Sequence, residues 1–391
     1  MTSATREPPR DLVLVGGGHA HVQVLRALAR RPVAGLRTTV VLDAPEAVYS
    51  GMVPGLVAGD YREAEVSIDV AALASRAAAR VVLAPALRVD AAAGRLEVEG
   101  HPALAWDVAS LDVGSSVRGL DLPGVREHAL ATRPIGAFAR ALDARLREAC
   151  AAHGGARRLR VAVVGAGVAG LELAFCLEAR LRGAGVGAEL ELVGDAPELA
   201  TGQPAGLLRR ARAEAARRGI ALRLGARVAA VEAGRVILEG GAPLACDLVV
   251  WATGAAPPAL VAASQLPRDA QGFVRVEDTL AVVGCAGLFA AGDCAALDAH
   301  AWVPRAGVHA VREGPVLDAN LRAALAGRRL RRYRPQRDFL ALVNLGSRRA
   351  LGAKYGVAFA GAWVWRWKDA IDRRFVARFR APRGAGRGAP G

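Results

Sequence analysis

Two glycine-rich loops carry the first chemistry. VGGGHAH (residues 15–21) and VGAGVAG (164–170) each follow an apolar run and open a helix-period pattern, through Val22, Leu25 and Leu28 in the first case. Between a strand and a helix, this spacing binds the diphosphate of a dinucleotide. Gly16 permits the tight turn and Gly18 the close backbone approach, with Gly17 between them and His19 next, and the helix N-terminus presents N–H groups to the anion. His21 takes the third position, where glycine normally allows close helix–strand packing. The second loop keeps all three glycines, Gly165, Gly167 and Gly170.

The elements around these loops repeat as well. WDVASLDVGSSV (106–117) follows the first and CDLVVWATGAAPP (246–258) the second, each an acid, a β-rich run and a small-residue turn, at Asp107…Gly114 and Asp247…Gly254. The loops lie 149 residues apart and these runs 140 apart. A repeat at domain length predicts an α/β fold with two Rossmann-type domains. The second strands, TTVVLDA and ELELVGD, end at Asp43 and at Gly194–Asp195. An acid there accepts from a ribose, whereas an arginine would hold a 2′-phosphate, so NADH is expected over NADPH. A further strand end, GLFAAGDCAAL (287–297), with Gly292 and Asp293, has no second copy.

Charge is uneven. Residues 327–391 hold 17 Arg or Lys against three Asp, a net +14 of the chain's formal +15, which points to an anionic partner for the tail. Near its end, AWVWRWKDAIDRRFVARF (362–379) reads as a helix with Trp363, Trp367, Ile371, Phe375 and Phe379 on one stripe. Arg366, Lys368, Arg373, Arg374, Arg378 and Arg380 flank it. This pattern fits a helix lying on an anionic membrane surface through 362–380, the alternative being a helix docked on the first domain. The N-terminus does not read as a signal peptide, and the most apolar long segment carries Glu172 and a glycine loop, so it reads as strand–turn–helix. Five cysteines form no C-x-x-C or metal-ligand pattern, so free thiols, a reducing cytoplasm and no metal site are expected.

The order glycine loop, small turn, glycine loop, small turn, G-D resembles the pyridine nucleotide–disulfide oxidoreductase superfamily over residues 11–325. The resemblance implies FAD in the first domain, with Asp293 beside the ribityl chain and Asp43 on the adenosine ribose. NADH (or NADPH) would sit in a second domain inserted in the first. Disulfide reductases of this group carry C-x-x-x-x-C after the first βαβ unit, whereas YSGMVPGLVAGDY (49–61) has no cysteine, so disulfide reduction is excluded. That loop looks like the one along the flavin in type II NADH dehydrogenases, with Pro54 against the ring. GGGHAHVQVL, this loop, RAGVHAVREGPVLDANL (305–321), YRPQRDFLALVNLG (333–346) and the Trp-rich segment together resemble the branch often fused ahead of selenide, water dikinase. No kinase domain follows within these residues, and selenium chemistry is not inferred.

Carried over residue by residue, the resemblance places Glu172 where the family orients the nicotinamide. The helix after Pro304 should begin beside the flavin, and glutamines that line the quinone site in type II enzymes correspond to Val308, Arg312 and Glu313. His309 or Glu313 could still donate protons to a reduced quinone. His19 and His21 are read as shaping the FAD loop. The expected activity is hydride transfer from NADH to FAD and onward transfer to a quinone-like acceptor. A soluble diaphorase-type reductase and a flavin-bound sensor with a nucleic-acid-binding tail remain as other readings. Nucleic acid is the less expected partner, and a homodimer is compatible with the sequence. The expected location is cytoplasmic, with peripheral attachment at the inner face of the cell membrane. The expected organisation is a flexible N-terminus (1–10), FAD domain (11–118 and 259–326), NAD(P)H domain (119–258), basic amphipathic segment (327–380) and disordered tail (381–391).

Overall fold

The computed structural model describes residues 9–153 and 158–380. The tail expected at 381–391 lies outside the described residues. Of the N-terminal segment only Pro9 and Arg10 are described, and Arg10 already begins the first strand.

Chain order is β1 (Arg10–Val15), α1 (His21–Arg30), β2 (Leu36–Leu42), α2 (Val53–Ala58), β3 (Arg80–Leu83), β4 (Val108–Leu111) and β5 (Ser116–Val117). There follow β6 (Ala129–Ala131), α3 (Ile135–His153), β7 (Leu159–Val164), α4 (Val168–Gly183), β8 (Ala188–Val193), β9 (Ala221–Arg223), β10 (Leu248–Trp251) and β11 (Ala255–Ala256). The chain closes with β12 (Leu288–Ala290), α5 (Gly307–Leu325), β13 (Ala341–Asn344), β14 (Ala350–Lys354), β15 (Val357–Gly361) and α6 (Ala362–Ala377). Short antiparallel ribbons, a parallel pair (Val274–Val276 with Ala295–Leu297) and further helices, Val70–Arg76 and Ala205–Arg218 among them, fill the intervals.

Two five-stranded parallel sheets result, ordered β12-β4-β1-β2-β3 and β6-β10-β7-β8-β9. Their central strands read as unbroken Val/Leu runs because helices cover both faces of a parallel sheet. The first sheet resumes with β12 only after the second is complete, which makes the second domain an insertion. The repeated acids do the same work twice. Asp107 accepts from the Asp11 N–H at 2.6 Å, and Asp247 from the Arg160 N–H at 2.9 Å, each pinning the strand after it to the one bearing the glycine loop. The two small-residue turns, also repeats, pair with each other as β5 and β11, with Ser116 opposite Ala256.

Beyond α5 the chain forms an antiparallel sheet, β13-β14-β15, followed by α6. The single stripe expected on α6 divides. A step of four residues overshoots a helical turn by about 40°, so over 16 residues the stripe drifts by about 160°. It starts exposed, with Trp363 at 54% and Trp367 at 44%, and ends buried, with Phe375 at 5% and Phe379 at 3%. Lys368, read in sequence as a solvated flank, lies on the buried face with Val364, Asp372 and Val376. Phe375 stacks on Tyr49 at 4.7 Å between centroids, and the Tyr61 hydroxyl donates to Asp369 at 2.6 Å. The C-terminal half of α6 is therefore docked on the first domain.

Candidate active site

Backbone geometry dictates the first glycine loop. Gly16 has φ +90°, and a Cβ there would stand 2.4 Å from the Asp112 carbonyl oxygen, so both strain and space exclude a side chain. The loop is held by the Gly18 N–H donating to the same carbonyl at 3.1 Å. At Gly17 a Cβ would press on Val70 and Leu42 at 3.2–3.3 Å. His21 fills the third position because its ring has partners: Nδ1 lies 2.7 Å from the Gly16 carbonyl oxygen and Nε2 2.9 Å from Ser110 Oγ. His19 Nε2 lies 3.4 Å from the Ser50 nitrogen. Burial drives both imidazoles down to about 4, so both are neutral near pH 7.

Asp43 follows β2 directly and is exposed, as a ribose partner requires. At the far side of the loop, Asp293 ion-pairs with Arg133, which also donates to Ser115. Arg133 comes from the segment entering the second domain. Gly292 (φ +69°) donates its N–H to Glu313 at 2.7 Å. Glu313 is 4% exposed, and burial pushes its carboxyl up to about 7. A cleft of about 340 Å³ opens between this strand end and the start of α5, lined by Asp293, Ala306, His309 and Glu313 among others. His309 turns to Tyr333 (Nδ1 to hydroxyl 3.3 Å) and Phe339, and burial lowers its pKa. Its Nε2 is buried without a partner, the state of a group positioned for a ligand or water. Pro54, at the start of α2, is buried.

The second loop is tighter. Gly165 has φ +116° and Gly170 leaves its own Cβ site 1.8 Å from the Gly165 carbonyl oxygen, so helix α4 meets β7 more closely than any side chain permits. Gly167 faces open space, room that a diphosphate takes. The displaced acid at the end of β8 also has a steric reason. A Cβ on Gly194 would lie 2.4 Å from that of Ala166, so the first available acid is the exposed Asp195. The arginine across the ladder, Arg223, is engaged by Glu191.

Glu172 stands in the first turns of α4, partly buried, and accepts the Asn344 N–H at 2.6 Å. Burial pushes its carboxyl up to about 7, against the opposing pull of Lys368. Lys368 in turn donates to the Gly51 carbonyl in the loop before Pro54 and ion-pairs with Asp372 at 2.7 Å. Glu172 is thus linked to the 49–61 loop through α6.

The structure gathers Gly16, Gly17, Gly18, His19, Gly292, Asp293 and Glu313 around the first cradle, and Gly165, Gly167, Gly170 and Asp195 around the second. His309 points partly away, toward Tyr333. Sequence reasoning missed Asp112, Arg133 and Lys368. One signal existed for Lys368, one of only two lysines in an arginine-rich chain. The first cradle fits an adenine dinucleotide carrying a ribityl chain in its glycine turn with no room for Cβ and its strand-end aspartate, but the N–H groups expected to face the anion at the start of α1 are already taken, those of Ala20 and His21 by the Asp112 carboxyl. Among the described residues no cluster of three or more His, Cys, Asp or Glu could hold a metal, and no helix is long and apolar enough to cross a membrane.

Comparison with known proteins gives the same frame. The chain is 33% identical over 222 residues to an NADH dehydrogenase-like protein of Mycobacterium tuberculosis, and the match spans only about half of either chain (55% of each). It is 29% identical over 291 residues to the demethylphylloquinone reductase of Synechocystis, covering 73% of this chain and 69% of that one. In fold it is similar to the sulfide:quinone oxidoreductase of Aquifex aeolicus, with TM-score 0.79 at 17% identity over 95% of this chain and 91% of that one. The family model for pyridine nucleotide-disulphide oxidoreductases matches residues 10–314, and with both dinucleotide cradles inside that span the chain belongs to this family.

Proposed function

We propose that this protein is an FAD-dependent oxidoreductase that takes a hydride from NADH and passes electrons to a quinone-like acceptor without a redox disulfide. The observation that carries the reading is the pairing of two dinucleotide cradles with a flavin-side loop, 49–61, that has no cysteine. All five cysteines are free; Cys176 and Cys294 are buried, and burial raises both thiols, Cys294 to about 12. Similarity to the demethylphylloquinone reductase of Synechocystis supports a quinone as acceptor.

FAD, when bound, supplies acceptance of the hydride and its onward transfer as electrons. Gly16, Gly17, Gly18, His19, Gly292 and Asp293 hold it, with Asp43 on the ribose and Arg133 beside Asp293. The N-terminus of α5 supplies positive potential beside the site. Gly165, Gly167, Gly170 and Asp195 hold NADH. Glu172 orients the nicotinamide and, with its carboxyl near 7, keeps or yields a proton at neutral pH. Glu313 has the same capacity on the α5 side.

A lipid-soluble acceptor gives meaning to the exposed end of α6. Phe359, Trp363 and Trp367 stack at 5.2 and 6.5 Å between successive centroids, beside Ile371 at 42% and Val357 at 65% exposure. Exposed Arg366 and Arg374 accompany them. Aromatic rings with cations around them suit the headgroup layer of an anionic membrane, where each basic residue contributes about 1 kcal/mol.

The deciding experiment is steady-state oxidation of NADH against a panel of quinones, with anaerobic bleaching of the flavin by NADH as its first half-reaction. A variant with all five cysteines changed to alanine should retain both. Absence of quinone turnover by a protein that NADH bleaches would leave the diaphorase reading in its place.

A further inference from the structure

The internal repeat exposes one residue that the fold does not demand. Asp112 follows β4 five residues after Asp107, and Ala252 follows β10 five residues after Asp247. The two positions are equivalent in the two repeats, since each places its carbonyl oxygen against the first glycine of its own loop, 2.4 Å from a Cβ at Gly16 and 2.3 Å from one at Gly165. The second cradle is thus complete with a methyl group where the first has a carboxyl.

That carboxyl is 2% exposed and sits on the helix start. Its Oδ2 accepts from the Ala20 N–H at 2.8 Å and the His21 N–H at 2.9 Å. These are donors of the kind that a helix start offers to a diphosphate. The surroundings are shaped around it. A Cβ on Gly18 would lie 2.1 Å from Oδ1, and one on Gly292 would lie 2.7 Å from it.

The charges that face Asp112 come from every neighbouring element. Asp293 and the Cys294 thiol approach from the end of β12, and Glu313 from α5. His19 and His21, both neutral, come from the loop and α1. Ser115 lies beyond β4, and the Arg133 guanidinium is engaged by Asp293. Three carboxyls converge before any cofactor phosphate arrives, and a second guanidinium, that of Arg305 within reach of Glu313, is paired with Asp269 at 2.9 Å. Another dianion beside three ionised acids would be held only at a heavy electrostatic cost in so buried a place.

We propose that FAD binding by this chain is coupled to the uptake of one proton, held by Asp112 beneath the glycine loop, so that the cofactor is released more readily as pH rises. Protonated, the side chain keeps its acceptance of the two N–H groups through one oxygen and removes one negative charge from beneath the diphosphate. Burial, the largest cause, with Glu313 and Asp293 adding to it, already pushes this carboxyl up to about 7 without any ligand. A bound anion drives it further in the same direction. Below that value the proton is in place before FAD arrives. Above it, binding must draw the proton from solvent. One proton of linkage weakens affinity by as much as tenfold per pH unit, about 1.4 kcal/mol.

This inference rests on the FAD reading above, and the two fail differently. Protein that is colourless at every pH defeats that reading, whereas yellow protein whose FAD retention ignores pH defeats only this one. The test dilutes the full-length yellow protein into buffers from pH 6 to 9 at fixed ionic strength and measures free FAD by its fluorescence. Wild type should hold FAD evenly to about pH 6.5 and lose affinity by up to tenfold per unit above about 7. Asp112→Asn, a neutral near-isostere, should abolish the slope and bind at pH 9 as at pH 6. Glu313→Gln, which removes one of the charges that raise Asp112, should keep the slope and move its onset to lower pH. Should Asp112→Asn fail to fold, Asp112→Ala copies the second cradle and serves instead. The infrared C=O stretch of a protonated carboxyl, present in yellow wild type at pH 8 and persisting in Glu313→Gln, reads the proton in holoprotein independently. A flat wild-type profile, a slope that survives loss of Asp112, or a slope removed by Glu313→Gln overturns the proposal.

Discussion

Glu172 on α4 and Lys368 on α6 lie within electrostatic reach of one another across the boundary between the second domain and the C-terminal helix. The lysine pulls the glutamate's pKa down while burial pushes it up. Lys368→Met should therefore move the pH profile of flavin reduction by NADH to higher pH, and Glu172→Gln should remove that ionisation from the profile and slow reduction by about tenfold or more. The lysine change also leaves Asp372 buried without its partner, so urea unfolding should show a loss of about 3–5 kcal/mol. Rapid-mixing absorbance across pH 5.5–8.5 checks the kinetic part, and an unmoved profile in Lys368→Met would break the proposed link.

The two glycine loops should fail separately. Gly16→Ala places a methyl 2.4 Å from the Asp112 carbonyl oxygen at φ +90° and should yield colourless protein. Gly170→Ala forces α4 away from Gly165, where the Cβ site is 1.8 Å from the carbonyl oxygen, and should give yellow protein that NADH reduces slowly with a raised KM. Absorbance at the flavin band and NADH titration separate the outcomes.

Stability should fall as pH rises from about 6.5 to 8. Below that range the buried His19 and His21, neutral when folded and lowered to about 4, oppose the acids because their unfolded imidazoles are the ones losing protons. Asp112, Glu172 and Glu313 all have carboxyls raised to about 7 in the folded chain, so between their ordinary values and 7 the folded state holds protons that the unfolded state has lost. Unfolding is favoured as those protons are withdrawn, by up to about 1.4 kcal/mol per pH unit for each group. Melting midpoints measured at pH 6.5, 7, 7.5 and 8 should descend, and Glu313→Gln should flatten the descent. A midpoint that climbs over this range would contradict the burial of these acids.

Removing all of α6 is a poor test of membrane attachment, because Lys368, Phe375 and Phe379 are buried on the first domain. The exposed end offers a cleaner one. Trp363→Ala with Trp367→Ala should abolish co-sedimentation with anionic liposomes while costing about 1 kcal/mol of stability from the lost ring stack. Undiminished sedimentation of the double variant would locate attachment elsewhere.

The glycine loops and the repeated acids were legible because each is a local pattern with a backbone cause, whereas the insertion of one domain in the other was implied by the family resemblance. Lys368 was misplaced for a geometric reason: alternating aromatics and cations in AWVWRWKDA look the same whether a helix lies on lipid or on protein. Its face is set by Tyr49, Tyr61 and Gly51, some 300 residues earlier. Asp112 stood in plain view in SLDVGSS, yet an acid after a strand has no meaning until Ala20, His21 and Gly292 are seen to close around it. The antiparallel sheet β13-β14-β15 went unread because residues 327–380 read together as one basic amphipathic segment, although 341–361 hold only two arginines, Arg348 and Arg349.

Helix α2 belongs to the first domain by chain connectivity, yet its Val53 and Val57 sit in the apolar cluster formed by Leu171, Phe175 and Leu192 of the second. A core shared in this way joins the fates of the two halves. Heating should give one calorimetric transition rather than two, with calorimetric and van't Hoff enthalpies in agreement. NADH, although it touches the second cradle, should then delay the release of FAD from the first, because neither half can open while its neighbour stays closed.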